Sequence, residues 1–381
     1  MNVAFINENT LGHASYLMPF VRRLRERPDF DVIPHVINAT PLPADLVWRA
    51  HFSVRGVRKW GLDFQNARWR MTVSRFVRTE LDSLRARCPI DAVVANTQSV
   101  ALELADLDRT IPLFVCLDAT FEQLSRSPWF APNRGTRLFL PITTAAIRKR
   151  ERALFARADR LLAWSESARQ SFVQDYGRPR EQLYVLPPSV HSSPVSGTRT
   201  AGRARVLFIG GDFHRKGGEL LLECYRKWFR DTCDLHILTQ SAIPEEPGVH
   251  VHRGVQQYSA EWCEQWQSAD VFVFPSRLET FGIVLLEAMS FGVPVISADV
   301  GAARELLGDG RAGWLLEERT PEAIAQALRE VLADAPAARR RALEGRTIIE
   351  SRFDLSRNTE QLVKWLQQAA SPQPAAAGAQ V

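Results

Sequence analysis

Long apolar runs are missing from this chain. No stretch of its 381 residues approaches the roughly 18–20 consecutive apolar positions that a membrane-crossing helix needs. The opening MNVAFINENT has neither a basic flank nor a cleavable apolar core, so no secretory signal is expected. Cysteine is scarce and scattered: five residues, at 88, 116, 224, 233 and 263, with no C-x-x-C pair. An odd, dispersed set argues against a disulfide framework and a structural zinc site, and makes a reducing cytoplasm the expected compartment. A compact His/Asp/Glu set with metal-ligand spacing is also missing, so no metal is expected. There is no internal repeat of solenoid type. What remains is the composition of a soluble globular protein, 45% hydrophobic and 24% charged. The length exceeds one comfortable core and makes two domains the expectation.

Charge is distributed unevenly. Residues 1–190 hold 27 Lys and Arg against 19 Asp and Glu, a surplus of +8, while the chain as a whole carries +5. Much of the surplus lies in residues 49–78, RAHFSVRGVRKWGLDFQNARWRMTVSRFVR, with eight basic residues, one acid at Asp63, and Trp60 and Trp69 interleaved. From Trp69 the apolar positions 69, 73, 76, 77, 81 and 84 follow helical spacing, which predicts an amphipathic helix with a solvated arginine face. The same stretch suits an anionic acceptor or peripheral contact with an anionic membrane at its inner face. No nucleic-acid motif accompanies the charge, and nucleic acid is not expected as a partner.

Short apolar runs alternate with helical stretches. NVAFINE, DVIPHVI, DAVVAN (91–96), PLFVCLD (112–118) and DRLLAWS (159–165) read as buried strands, with helices such as ASYLMPFVRRLRE and AAIRKRERALFARA between them. This alternation predicts a doubly wound parallel sheet over residues 1–187. Residues 188–204, rich in Pro, Ser, Gly and Thr, read as a linker. The pattern restarts with RVLFIGG (205–211) and runs through DLHILTQ, VHVHRG, DVFVFPS (270–276) and VPVISADVG, a second α/β domain over 205–355. A final helix at about 356–370 follows, and residues 371–381, SPQPAAAGAQV, read as a disordered tail. Two such domains of similar size suggest a ligand held between them.

The segment SRLETFGIVLLEAMSFGVPVISADVG (276–301) places Glu279 and Glu287 with seven residues between them. The same interval separates Glu322 and Glu330 in PEAIAQALRE, so spacing alone decides nothing. The surroundings differ. A strand delivers the first pair to a loop that opens a helix, the position where open α/β sheets bind ligands. The backbone N–H groups of Thr280, Phe281, Gly282 and Ile283 would face the ligand with the positive end of the helix dipole, which suits a phosphate. Gly282 permits close backbone approach. A carboxylate beside a phosphate is unfavourable unless it accepts hydrogen bonds from hydroxyls, and a nucleotide sugar brings both groups at once. A second strand-to-helix turn, FIGGDFHRKGGELLLE (208–223), carries Arg215 and Lys216 at its tip, where they could neutralise a diphosphate.

Together these residues resemble the retaining glycosyltransferases of family 4, glycosyl transferases group 1, which have the GT-B fold. Glu279 to Glu287 resembles that family's E-x7-E motif, FIGGDFHRKGGELLLE its donor-phosphate loop, and ADRLLAWSESARQSFVQDYG the last strand-helix unit of its amino-terminal domain. The resemblance covers essentially the whole chain, strongly over 205–320 and loosely before residue 110. It implies an α/β chain of two Rossmann-like, doubly wound domains facing a central cleft, the amino-terminal one for the acceptor and the carboxy-terminal one for a nucleotide-sugar donor. By the same resemblance Glu279 contacts sugar hydroxyls and Glu287 the ribose. Arg215 and Lys216 hold the diphosphate with help from the amides of Thr280, Phe281 and Gly282, and the final helix crosses back onto the amino-terminal domain. The chain departs from the family where Gly211 stands in place of an arginine five residues before Lys216, with Arg215 as the substitute. It departs again in NENTLGHAS, which has only Gly12 where adjacent glycines are usual.

A retaining transfer of this kind needs no protein nucleophile: the diphosphate leaves, an oxocarbenium-like centre develops, and the acceptor attacks from the same face. The protein supplies positioning and charge stabilisation. Arg215, Lys216 and the helix start would stabilise the leaving group, with no metal or other cofactor required. Asp118 ends a strand of the first domain and is assigned to acceptor or sugar orientation, or to proton acceptance; the alternative is a helix N-cap. Gly12 and His13 lie in the first strand-to-helix loop and are acceptor-side candidates. Two other functions remain open, a GT-B nucleotide-sugar epimerase and a nucleotide-sugar-binding protein without transferase activity.

Overall fold

The computed structural model describes residues 1–9, 11–52, 62–127, 134–190 and 202–370. It contains two separate units, Met1–Ser189 together with the chain from Leu355, and Val190–Asp354. The first unit is built on a six-stranded sheet in the order β2-β1-β3-β4-β5-β6. Its strands are β1 (Asn2–Asn7), β2 (Ile33–Asn38), β3 (Ala92–Asn96), β4 (Leu113–Leu117), β5 (Arg160–Ala163) and β6 (Leu183–Val185). The second has the order β12-β11-β10-β7-β8-β9, from β7 (Ala204–Ile209), β8 (Cys233–Leu238), β9 (Val249–His252), β10 (Val271–Phe274), β11 (Val295–Ala298) and β12 (Trp314–Leu316). Every pairing in both sheets is parallel.

Parallel strands covered on both faces need apolar residues at every position rather than at alternate ones. The strands β3, β4 and β10 are buried along their whole lengths. In the first unit Ile6, Val93, Val115 and Leu161 pack against Val77, Leu81, Phe155 and Phe172 from the covering helices. In the second, Val206, Phe208, Val273 and Ile296 pack against Leu221, Tyr225, Ile324 and Leu328. Helix boundaries follow local capping chemistry. Ser165 caps Glu166–Tyr176, which ends at Gly177 in the left-handed conformation, and Thr320 followed by Pro321 opens Pro321–Ala333.

The two strands that the sequence did not announce, β6 and β12, are three residues long and lie at sheet edges. Both are too short for a periodic signal. The last helix, Leu355–Ala370, belongs to the first unit, where Asn358 Nδ2 donates to Ser189 Oγ at 2.9 Å and Trp365 packs on Tyr184. The helix expected from Trp69 onward is Gln65–Arg87, but its arginine face is not wholly solvated. Arg70 is buried, with Nε donating to Asn66 Oδ1 at 2.8 Å, and the Glu8 and Glu151 carboxylates partly offset the burial that depresses its pKa. Most of the expected linker (191–201), the tail (371–381) and residues 53–61 of the basic stretch, with Trp60, lie outside the described residues. Among the described residues, no helix is long and apolar enough to cross a membrane.

Candidate functional site

In the second unit two strand-to-helix turns emerge side by side, because β7 and β10 are neighbours in the sheet. The first turn, residues 210–217, leads from β7 into the helix Gly218–Trp228. The second, residues 275–282, leads from β10 into the helix Ile283–Ser290. They pack backbone against backbone. Gly217 has φ +74°, and a Cβ there would lie 2.1 Å from the Pro275 carbonyl oxygen, so only glycine fits. Arg277 N–H donates to the Arg215 carbonyl at 2.9 Å, and Arg215 Nη1 donates to the Leu278 carbonyl at 3.3 Å. Gly282 caps the second helix at φ +94°. Its nearest prospective Cβ contact is the Leu285 side chain at 3.2 Å, so conformation rather than close approach explains this glycine.

This packing brings Lys216 and Glu279 together across the turns. Lys216 Nζ donates to Glu279 Oε2 and lies 5.0 Å from the centre of the Phe274 ring. Glu279 Oε1 accepts the Thr280 N–H at 3.1 Å. Both side chains are mostly covered. Phe281 is buried, while Ile283 is half-buried in the first turn of the helix. Gly211 sits on the exposed outer part of the first turn, its carbonyl accepting from Thr239 and Ser241 hydroxyls at 3.4 Å.

Glu287, the fifth residue of its helix, is 5% exposed. Burial pushes its carboxyl up to about 7, opposed by the Gln257 amide, whose Nε2 donates to Oε1. Sequence reasoning missed Gln257; it follows β9 in a loop thirty residues from its partner and no local pattern marks it. The comparison pair behaves differently: Glu322 and Glu330 are exposed on Pro321–Ala333, where Glu322 meets Lys227 and Glu330 accepts from Trp314.

The first unit assembles its own polar cluster at the carboxyl ends of β1, β3 and β4. His13, three residues into the helix Leu11–Glu26, lies between two carboxylates, with Nδ1 2.9 Å from Glu8 Oε2 and Nε2 3.6 Å from Asp118 Oδ2. Thr97 Oγ1 donates to Glu8 Oε2 at 2.8 Å, and Asn96 Nδ2 donates to the His13 carbonyl at 2.9 Å. The Trp164 ring stands edge-on to the imidazole at 5.7 Å. Burial works against charge on His13, but hydrogen bonds and charges from Asp118 and Glu8 outweigh it and raise its pKa to about 10. Burial likewise opposes the Glu8 charge, and His13 with Thr97 brings its pKa below the ordinary value.

Asp118 is not a helix cap. Thr120 and Gln123 form the capping box of Phe121–Ser125 instead. Glu8 was missed in the sequence, although it follows the apolar run of β1 as Asp118 follows that of β4. Gly12 is exposed beside His13.

Residues 203–334 match the family model described as "Glycosyl transferases group 1". The match is confined to that segment, which lies within the second unit. The D-inositol 3-phosphate glycosyltransferase of Geodermatophilus obscurus is 32% identical over 216 residues, 48% of this chain and 47% of that protein. The GDP-mannose-dependent alpha-mannosyltransferase of Mycobacterium tuberculosis is 32% identical over 163 residues, 42% of this chain and 36% of that protein. The chain thus matches about half, or less, of the length of these curated relatives. Among solved structures, sucrose-phosphate synthase from Thermosynechococcus elongatus superposes with a TM-score of 0.71 at 20% identity, covering 97% of this chain and 100% of that one. HepE of Anabaena, in complex with UDP and glucose, gives 0.65 at 17% identity, with coverage of 97% and 100%. At these identities the likeness is one of fold, and the fold is GT-B, two Rossmann-like units in one chain. The segment that the family model matches contains Gly211, Arg215, Lys216, Glu279, Thr280, Phe281, Gly282, Ile283 and Glu287, whereas Glu8, Gly12, His13 and Asp118 precede it.

Proposed function

We propose that this chain moves a sugar from a nucleotide-diphosphate sugar to an acceptor hydroxyl with retention of anomeric configuration. The observation that carries the reading is the Lys216–Glu279 pair at the junction of two strand-to-helix turns, with the buried Glu287 about one turn into the helix that follows the second. Cations and helix-start amides suit a diphosphate. Acceptor-only carboxylates beside them suit the hydroxyls of a sugar and a ribose. The relatives named for transfer from GDP-mannose or to an inositol phosphate, and the neighbour holding UDP and glucose, support the same chemistry.

In this mechanism Arg215, Lys216 and the amides before Ile283 stabilise the negative charge that develops as the diphosphate departs, a task that then requires no metal. Glu279 orients the sugar and Glu287 the ribose. Asp118 orients the acceptor hydroxyl. His13, charged near neutral pH, is a hydrogen-bond donor there and not a base. The acceptor attacks from the face the diphosphate leaves, and its proton passes to the departing phosphate oxygen.

Peripheral contact with an anionic membrane is part of the proposal. It is supported by Trp48, 69% exposed, with Val47, Phe52 and Phe64 also exposed and Arg49 alongside. Failure to bind phosphatidylserine vesicles at low salt would remove this part.

The deciding experiment is a thermal-shift screen against UDP-, GDP- and ADP-sugars, without acceptor. A rise in Tm with one nucleotide class is expected. No shift with any of them would refute the donor site.

A further inference from the structure

Glu279 uses both carboxylate oxygens on the protein itself. One holds the Lys216 ammonium, and the other accepts the Thr280 N–H at 3.1 Å. These donors are among those an incoming diphosphate would need, the cation of one turn and an amide of the other. The pair is only 16% and 13% exposed at its two side chains, so water screens it weakly and cannot easily replace either partner. The carboxylate can give up Lys216 without loss only if other donors reach it. A carboxylate accepts and never donates, and the diphosphate end of a bare nucleotide offers only acceptor oxygens. A sugar on the terminal phosphate brings a set of hydroxyl donors to the same place.

We infer that Glu279 determines specificity for sugar-bearing nucleotides over bare nucleoside diphosphates, by holding Lys216 and the Thr280 amide until sugar hydroxyls take their place on its carboxylate. The inference rests on the donor-site reading above and adds a consequence for the end of the reaction. Once the sugar has left, the carboxylate loses its hydroxyl partners and returns to Lys216, which weakens the hold on the nucleoside diphosphate and favours its release.

The test is calorimetric titration of the wild-type chain and of Glu279→Gln with UDP, GDP and ADP and with UDP-glucose, GDP-mannose and ADP-glucose. Wild type is expected to bind one nucleotide sugar more tightly than the matching diphosphate. In Glu279→Gln the bare diphosphate should bind about tenfold more tightly than in wild type, because its donors are no longer shared with a charged competitor. The nucleotide sugar should gain nothing, so the preference collapses. Glu279→Ala, which removes both oxygens, should move the preference in the same direction and covers a failure of the first variant to fold. Diphosphate affinity that is unchanged or weaker in the folded variants overturns the inference while leaving the donor site standing. Absence of wild-type binding to all six nucleotides overturns the donor-site reading itself.

Discussion

Replacing Glu287 with Gln should stabilise the protein and damage its site at once. The carboxyl of Glu287 is buried and its pKa lies near 7, against an ordinary 4.5. A carboxyl raised in the folded state binds its proton more tightly folded than unfolded. Its contribution is therefore most favourable below pH 4.5 and is lost as pH rises through about 7. The full difference corresponds to roughly 3 kcal/mol, of which about 2 kcal/mol falls between pH 5.5 and 8.5. Gln is neutral throughout and keeps an oxygen that accepts from Gln257. The variant should exceed wild type in Tm by an amount that grows by about 4–8 °C between those two pH values, for a unit of this size. Glu151, also buried with a pKa near 7, titrates in both proteins and cancels in the difference. At pH 8.5, where the wild-type carboxylate is charged, the variant should bind the preferred nucleotide about tenfold more weakly, having exchanged a charged acceptor for a neutral one. Differential scanning fluorimetry at pH 5.5 and 8.5 reads the first effect and titration calorimetry the second. A Tm difference that does not change with pH would refute the reasoning, because it would mean that Glu287 does not carry an unfavourable charge above pH 7.

Glu8→Gln removes one of the two carboxylates that hold His13 charged near pH 10. The imidazole should remain protonated above pH 8 in wild type and titrate at lower pH in the variant, as read by NMR of the ring protons; identical titrations would dismiss the Glu8 contact. His13→Ala leaves buried Glu8 without its hydrogen-bonded cation, with only the Arg70 charge remaining, and should cost about 3 kcal/mol, measured by denaturant unfolding. Gly217→Ala forces a Cβ onto the Pro275 carbonyl oxygen at a φ of +74°, and should lower stability by at least about 2 kcal/mol and abolish nucleotide binding. Glu322→Ala, at an exposed pair with Lys227, should change neither Tm nor nucleotide affinity. A loss of binding there would undo the distinction between the two glutamate pairs.

The strands longer than three residues were legible as apolar runs, continuous in central strands such as Val271–Phe274 and Leu113–Leu117 and alternating with polar residues in outer ones such as Val249–His252. Edge strands β6 and β12 were not, since three residues carry no period. In the second unit, Lys216, Glu279 and Glu287 could be picked out because each follows a strand and stands at or near a helix start. Glu322 shares part of that context, in the first turn of Pro321–Ala333 after the short edge strand β12, but the structure leaves it exposed against Lys227. Two partners were invisible. Gln257 reaches Glu287 from a loop, and Glu8 reaches His13 from the end of β1. Arg70 was misread as solvated because helical spacing gives the direction of a side chain but not the presence of Glu8 and Glu151 behind it.

From the order of its residues alone, this chain determined two parallel α/β units, the turns that leave their strands, and the residue types displayed on those turns. Local physics suffices for these features: burial on both faces demands apolar strands, and caps and glycines set where each helix begins. Tertiary structure decided which charges meet. Lys216 faces Glu279 only because β7 and β10 are neighbours and Gly217 lets their turns touch. His13 is held charged only because β1 and β4 both end at the carboxyl end of the sheet, near the helix that carries it. Ionisation and pairing depend on distance and burial, and both arise from strands that are far apart in sequence.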